Sequence, residues 1–231
     1  MEQEAKVSAA AGRVVLVAGA TGLVGREVLA ALLADKSVAT VHCVGRRAPQ
    51  LQNAKLVTHT VDFKKIGKLP AVHDVYIALG TTIKVAGSKD AFKAIDYDAI
   101  VAVAQACKAQ GAIRLGVVSA MGADAKSSIF YSRIKGDMEN TLSDMGFEST
   151  VFVRPSLLAG HREELNQKPR WGERLSLLAA PLINPLIPAN YRSVQAKDVA
   201  YALIKSVKQG KLGVTCLMSG DLQGSSHAKT A

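Results

Sequence analysis

RVVLVAGATGLVG, residues 13–25, is the stretch from which the rest of this chain can be read. Its first part, RVVLVAGA (13–20), is a continuous apolar run rich in β-branched residues and ending at glycine, the pattern of a strand buried on both faces. LVGREVLAALLADK (23–36) then changes period, with Leu23, Val28, Leu32 and Leu33 on one helical face. Between the two, Gly19, Gly22 and Gly25 are spaced GxxGxxG. Such spacing arises by chance in glycine-containing chains. Its place between a buried strand and an amphipathic helix gives it a physical meaning. Gly19 allows a tight turn, Gly22 lets backbone approach a pyrophosphate, and Gly25 lets the helix pack on the strand. The N–H groups that open a helix lack intrahelical partners and suit phosphates, with Leu23 and Val24 among them, and the Thr21 hydroxyl can add a bond. The alternative is a β–α turn that holds no ligand.

Outward from this turn, strands and helices alternate. VATVHCVG (38–45), AKLVTHTVDF (54–63), HDVYIALGTT (73–82), AIRLGVVSAMG (112–122) and ESTVFVRPSLLAG (148–160) read as strands. KDAFKAIDYDAIVAVAQACKAQG (89–111) and IFYSRIKGDMENTLSDMG (129–146) read as helices stopped by glycine. AKDVAYALIKSVKQG (196–210) is a later helix and KLGVTCLMSG (211–220) a late strand. The order predicts an α/β fold, a Rossmann-type doubly wound parallel sheet with helices on both faces. With no repeat or linker, the 231 residues are expected to form one domain: a core over 13–160, an irregular C-terminal cap with the late helix and strand over 161–220, and a frayed polar tail, 221–231.

Composition narrows the function classes. The most apolar run outside the core, LSLLAAPLINPLIPANY (175–191), is too short to cross a bilayer and is broken by Pro181, Pro185 and Pro188. It reads as a flap over the core. The formal charge of +10 admits an anionic partner, yet the dense basic patch FKKIGK (63–68) has no aromatic ladder, which argues against nucleic acid. His42, His59, His73, His161 and His227 show no ligand spacing, so no metal is expected. Cys43, Cys107 and Cys216 lie in apolar stretches and read as buried free thiols. With a non-secretory N-terminus, they suggest a cytoplasmic protein.

The second strand ends in VGRRAPQ. An NAD site often places an acid here for the ribose diol. Arg46 and Arg47 stand there instead, and their planar multi-donor guanidinium groups suit a 2′-phosphate, which predicts NADPH over NADH. Asp62 and Phe63 end the third strand, and Leu79, Gly80, Thr81 and Thr82 the fourth, where this fold meets adenine and ribose.

SSIFYSRIKGDME (127–139) carries Tyr131 and Lys135 one helical turn apart. YALIK, Tyr201 to Lys205, repeats the spacing, so the pair alone decides nothing. Ser119, at the end of the fifth strand, favours the first pair, and Tyr201 reads as packing beside a snorkelling lysine. Hydride delivered to a carbonyl leaves charge on oxygen, which a proton donor and a second hydrogen bond must meet. Tyr131 can donate, Ser119 can orient the carbonyl, and a Lys135 ammonium would favour the phenolate and lower the tyrosine from its usual ~10.

GATGLVG, the strand-terminal Ser119 and YSRIK together resemble the short-chain dehydrogenase/reductase superfamily in its extended or atypical branch. VGRR, LGTT, SAMGAD, SSIFYSRIKGDME, VRPSLLAG and RWGERL look most like the Tat-interacting oxidoreductase group and its bacterial relatives, over about 14–176. The resemblance implies an NADPH-binding Rossmann domain with cofactor contacts at Thr21, Gly22, Val24, Gly25, Arg46, Arg47, Leu79, Gly80, Tyr131, Lys135 and Leu158. It also implies a reductase in which Tyr131 is proton donor or acceptor. The loop GHREELNQKPRWGE (160–173) is longer than the group's, with tryptophan where proline is usual. Its Arg162 and Arg170 can meet an acidic substrate or a cofactor phosphate, or stay solvated. The expected function is NADPH-dependent reduction of a small carbonyl compound. Two alternatives stand beside it: an NADPH-binding redox sensor acting through a protein partner, and a sugar-nucleotide epimerase or dehydratase. Substrate identity and oligomeric state are not legible.

Overall fold

The computed structural model describes residues 12–159 and 188–226. Arg162, Arg170 and most of the expected flap lie outside them. Strand β1 (Arg13–Ala18) leads into helix α1 (Leu23–Ala34), and β2 (Val38–Gly45), β3 (Leu56–Thr60) and β4 (Asp74–Ile77) follow. A short helix α2 (Ile83–Ala86) precedes α3 (Lys89–Lys93), a π-helical stretch (Ala94–Ala99) and α4 (Ile100–Lys108). Then come β5 (Arg114–Val118), α5 (Phe130–Ser143) and β6 (Ser149–Arg154). The short strands β7 (Leu158–Ala159) and β8 (Val194–Gln195), helix α6 (Ala196–Gln209) and strand β9 (Gly213–Met218) complete the order.

Seven strands form one sheet in the order β3-β2-β1-β4-β5-β6-β9, with every pairing parallel. This is the doubly wound arrangement expected. Because β1 is central, its side chains alternate between two apolar layers. Val15 and Val17 join Val28, Leu32, Leu203 and Val207 from α1 and α6 on one face. Leu16 and Ala18 join Ile100, Val103, Met138 and Leu142 from α4 and α5 on the other. The order reverses between β1 and β4, and a crevice opens there at the carboxyl ends of the strands.

The glycine turn is sterically exacting. Gly19 has φ of +89°, open to glycine at little cost. A Cβ on Gly25 would lie 2.0 Å from the Gly19 carbonyl oxygen, and neither backbone segment can retreat without breaking the turn. Gly25→Ala is expected to lower stability by about 1–3 kcal/mol, read as a shift in urea midpoint. A variant as stable as the parent would show that the turn is looser than drawn.

Several expectations need adjustment. β4 ends at Ile77, five residues before the end of the strand expected over 73–82, because Thr82 instead caps α2 by accepting the Val85 N–H at 3.2 Å. The helix expected over 89–111 contains the π stretch at its middle. The paired β7 and β8 were not foreseen: two-residue strands leave no periodicity to read. The tail, expected to fray from residue 221, is held as far as Ser226, whose N–H and hydroxyl both donate to Asp198 at 2.9 and 2.5 Å.

Candidate active site

At the glycine turn, Gly22 is the N-cap of α1, and among the described residues no side chain caps the helix. The opening N–H groups of α1 therefore remain available to an anion. Beside them a cavity of about 70 Å³ is lined by Gly19, Ala20, Thr21, Cys43, Val44, Gly45, Arg46, Arg47, Phe63 and Leu79. The fold thus gathers the glycine turn, the arginine pair and two of the strand-end residues around one space. Asp62 stands outside that lining, its carboxylate accepting the Lys64 N–H at 3.0 Å. Uncapped helix start, guanidinium pair and tight glycine cradle together fit a dinucleotide.

Further along the same edge lie the residues of α5. Lys135 is buried, and its Nζ is 2.8 Å from Asp96 Oδ1, with side chains 3% and 1% exposed. Asp96 Oδ2 also accepts the Thr81 N–H at 2.8 Å, so one carboxylate joins the π stretch, the loop after β4 and α5. Gly80 leaves room beside this pair, since a Cβ there would sit 3.4 Å from Asp96 Oδ1 and 4.0 Å from Lys135 Nζ. The Tyr131 ring packs 5.3 Å from that of Phe92, which is fully buried. Ser119 is buried at the end of β5, and its hydroxyl has no hydrogen-bond partner among the described residues. An unpartnered buried hydroxyl is costly, and one facing a ligand site is explained by a ligand.

Ion pairing sets the pose of α5. Glu139 receives Arg154 from the end of β6 through two contacts, one of them Nε to Oε1 at 3.0 Å. Tyr97 and Thr141 hydroxyls meet at 2.9 Å, tying the π stretch to the same helix. A broader groove of about 350 Å³ is lined by Lys93, Tyr97, Ile134, Asp137, Asn140 and Thr141. None of its lining belongs to the glycine turn, whereas the smaller cavity is lined by Gly19, Ala20 and Thr21. Leu158 lies on β7, paired in register with Val194.

One electrostatic result differs from what spacing suggested. Burial, then the negative charge of Asp96, push the Tyr131 phenol up to about 12, opposite to the lowering that an unpaired Lys135 would bring. Burial likewise raises the Asp96 carboxyl, while Lys135 and the Thr81 N–H pull it back toward the ionised form. The other tyrosine pair does not pack as expected: Tyr201 and Lys205 are exposed on α6, whose apolar side faces the opposite layer of the sheet.

Asp96 and Phe92 escaped the sequence reading. A signal existed for Asp96. It stands four residues after buried Phe92 and four before buried Ile100, on the apolar side of its helix. An acid in that position requires a partner.

A family model described as NAD(P)H-binding matches residues 19–209. The chain belongs to this NAD(P)H-binding family. Among its relatives, "Protein fmp52, mitochondrial" of Emericella nidulans is 37% identical over 160 residues, covering 65% of this chain and 69% of that protein. "Protein FMP52, mitochondrial" of Lodderomyces elongisporus is 31% identical over 217 residues, covering 86% of this chain and 88% of that protein. A short chain dehydrogenase family protein from Francisella tularensis superposes with a TM-score of 0.67 at 14% identity, covering 91% of this chain and 99% of that one. The NAD(P)H-binding family membership and the short-chain-dehydrogenase fold agree with the superfamily resemblance seen in the sequence and do not reach the Tat-interacting group within it.

The cytoplasmic location inferred from the sequence does not hold against these relatives, which are named mitochondrial. The thiols are a weak compartment signal. Cys43 and Cys107 are buried, which shields them in any compartment, while Cys216, expected to be buried, is exposed on β9. Among the described residues no helix is long and apolar enough to cross a membrane.

Proposed function

We propose that the protein is an NADPH-dependent reductase of a small carbonyl compound. The observation that carries this reading is the buried Lys135 and unpartnered Ser119 hydroxyl on the same sheet edge as the uncapped glycine turn and the Arg46–Arg47 cavity. When bound, the dinucleotide supplies a hydride to the carbonyl carbon. Tyr131 Oη gives its proton to the carbonyl oxygen as charge develops there, and solvent reprotonates the phenolate. The Ser119 hydroxyl donates to the same oxygen and orients it. Lys135, whose Nζ also pairs with Asp96 at 2.8 Å, would bond the nicotinamide ribose. Backbone N–H groups at Leu23, Val24 and Gly25 would hold the pyrophosphate, while the Gly22 N–H closes the turn on the Gly19 carbonyl at 3.0 Å; Gly80, Thr81 and Leu158 would meet the ribose and nicotinamide. Val85, Ile129 and Leu157, 65%, 64% and 63% exposed, lie on segments leaving β4, β5 and β6.

Arg46 and Arg47 support NADPH over NADH. A charge-assisted hydrogen bond contributes about 1.5–3 kcal/mol, so Arg46→Ala is expected to weaken NADPH about ten- to a hundredfold. NADH affinity should be unchanged, as titration calorimetry with each cofactor will read. Equal affinities for the two in the parent protein would refute the arginine assignment. Turnover is tested by NADPH oxidation with a panel of aldehydes and ketones. Binding without turnover would favour the sensor reading. The names of the relatives lead us to propose mitochondria as its site of action, which subcellular fractionation checks.

A further inference from the structure

We propose that His42 and His59 form an acid-opened latch that holds the edge strand β3, and through it Phe63, at the adenosine end of the dinucleotide cavity. The inference rests on the reading of that cavity as a dinucleotide site and adds a control on it. His42 lies on β2 and His59 on β3. His42 Nδ1 is 2.9 Å from His59 Nε2, with the ring centroids 5.1 Å apart. A hydrogen bond between two imidazoles needs an N–H on one ring and a lone pair on the other. The pair meets that need when neutral and when it carries one extra proton. With two, both nitrogens are donors, the bond is lost, and like charges stand in contact.

Little else anchors the side chains of β3. The strand is an edge of the sheet, bonded to β2 alone, and none of its five residues is buried. Leu56 packs at its start against the layer under α1 and α6, and His59 is tied near its end by His42. Past the strand, the Val61 N–H donates to the Gly45 carbonyl at 3.0 Å. His59, Val61 and Phe63 follow at the two-residue period of one sheet face, and Val61 and Phe63 pack with Val44 in the other layer. Val44 is the register partner of His59. Val44, Gly45 and Phe63 all line the cavity, so the latch abuts the cavity wall.

No neighbouring charge relieves a doubly protonated pair. Among the described residues no carboxylate forms an ion pair with either ring. On β1, Arg13 pairs with Asp74 at 2.5 Å. On β2, Cys43 belongs to the layer under α1 and α6, and Arg46 and Arg47 beyond its end line the cavity. Before β3, Lys55 Nζ donates to the Asp35 carbonyl at 2.8 Å. After it, Asp62 accepts the Lys64 N–H at 3.0 Å, and Lys64, Lys65 and Lys68 are exposed. Before β4, His73 Nδ1 accepts the Val14 N–H at 3.0 Å. Burial, and then the charge of His59, hold the His42 titration below the ordinary histidine range. The closed latch is therefore favoured above the ordinary value of ~6.5 and lost as pH falls through the lower, folded one.

The test compares the parent with His59→Gln, whose amide both donates and accepts and does not titrate. Oxidised NADP+ is the probe, read by calorimetry at about pH 7.5 and about pH 5. The parent's affinity should fall over that interval about five- to tenfold more than the variant's, the effect of one unit of displacement in the pair's lower titration. Protonation of the cofactor's own 2′-phosphate is common to both proteins and cancels. Without cofactor, hydrogen exchange over residues 56–60, referred to the variant at each pH, should quicken in the parent across the same interval. The imidazole resonances of the parent should show the pair titrating in two separate steps, an arm that stands even if His59→Gln does not fold. Rings that titrate together near ~6.5, or exchange over β3 that matches the variant's at both pH values, overturn the latch. An equal loss of NADP+ affinity in the two proteins overturns it too and leaves the cavity reading intact. A protein whose β3 opens in acid but which binds no NADP+ at either pH sinks the cavity reading alone.

Discussion

Tyr131→Phe is expected to lower kcat for carbonyl reduction by about 10²–10⁴-fold, with NADPH affinity nearly unchanged. The substitution removes one oxygen and retains the ring that packs against Phe92 at 5.3 Å, so the helix should keep its place. The lost group acts only as charge forms on the carbonyl oxygen, and removal of such a group lowers kcat and kcat/KM together. Because burial and Asp96 hold the phenol up to about 12, reduction by the parent should not fall across neutral pH through ionisation of Tyr131. Steady-state kinetics with an accepted carbonyl substrate, paired with calorimetric NADPH binding, separate the two quantities. A variant that retains full kcat would remove Tyr131 from the chemistry.

Lys135→Met should have the largest effect on stability. It leaves the Asp96 carboxylate, 1% exposed, without its ammonium. Breaking one side of a buried pair costs about 3–5 kcal/mol, which is a large share of a domain's stability. The Thr81 N–H remains, so the lower part of that range is expected. The sign of the pH dependence follows from Asp96. Its carboxyl is already raised by burial, and without Lys135 nothing of comparable charge opposes the rise. A carboxyl whose folded value exceeds its unfolded one favours the fold when protonated, and that contribution fades as pH rises through the folded value. The deficit of Lys135→Met should therefore be greatest at neutral and alkaline pH and shrink toward about pH 4–5. Urea denaturation at several pH values checks this. Adding Asp96→Asn should recover much of the loss at neutral pH, since replacing both members of a buried pair is often nearly neutral. A deficit that does not change with pH would mean that the carboxylate is solvated in the variant.

These two experiments probe different parts of the site and differ in how visible those parts were beforehand. The Tyr131–Lys135 spacing lies in a single helix and could be read directly. What that spacing implied for the phenol was read with the wrong sign, because burial of the ring, and then the charge of Asp96 from another helix, raise it. Arg46 and Arg47 could be placed at the cavity by counting from the glycine turn, since a strand, a helix and a strand of ordinary length bring β2's end beside β1's. Thr82, expected at the ribose, has a role in the fold that the sequence did not show, as the cap of α2.

Local order in the chain was enough to determine the alternation of strands and helices, the glycine cradle and the family to which they lead. Periodicity and backbone sterics act over a few residues and leave their mark in sequence. The tertiary structure alone decided that Asp96 meets Lys135, that Ser119 is left without a partner among the described residues, and that the phenol is displaced upward. Those outcomes depend on distance through space and on exclusion of water, and neither is written in the spacing of residues along the chain.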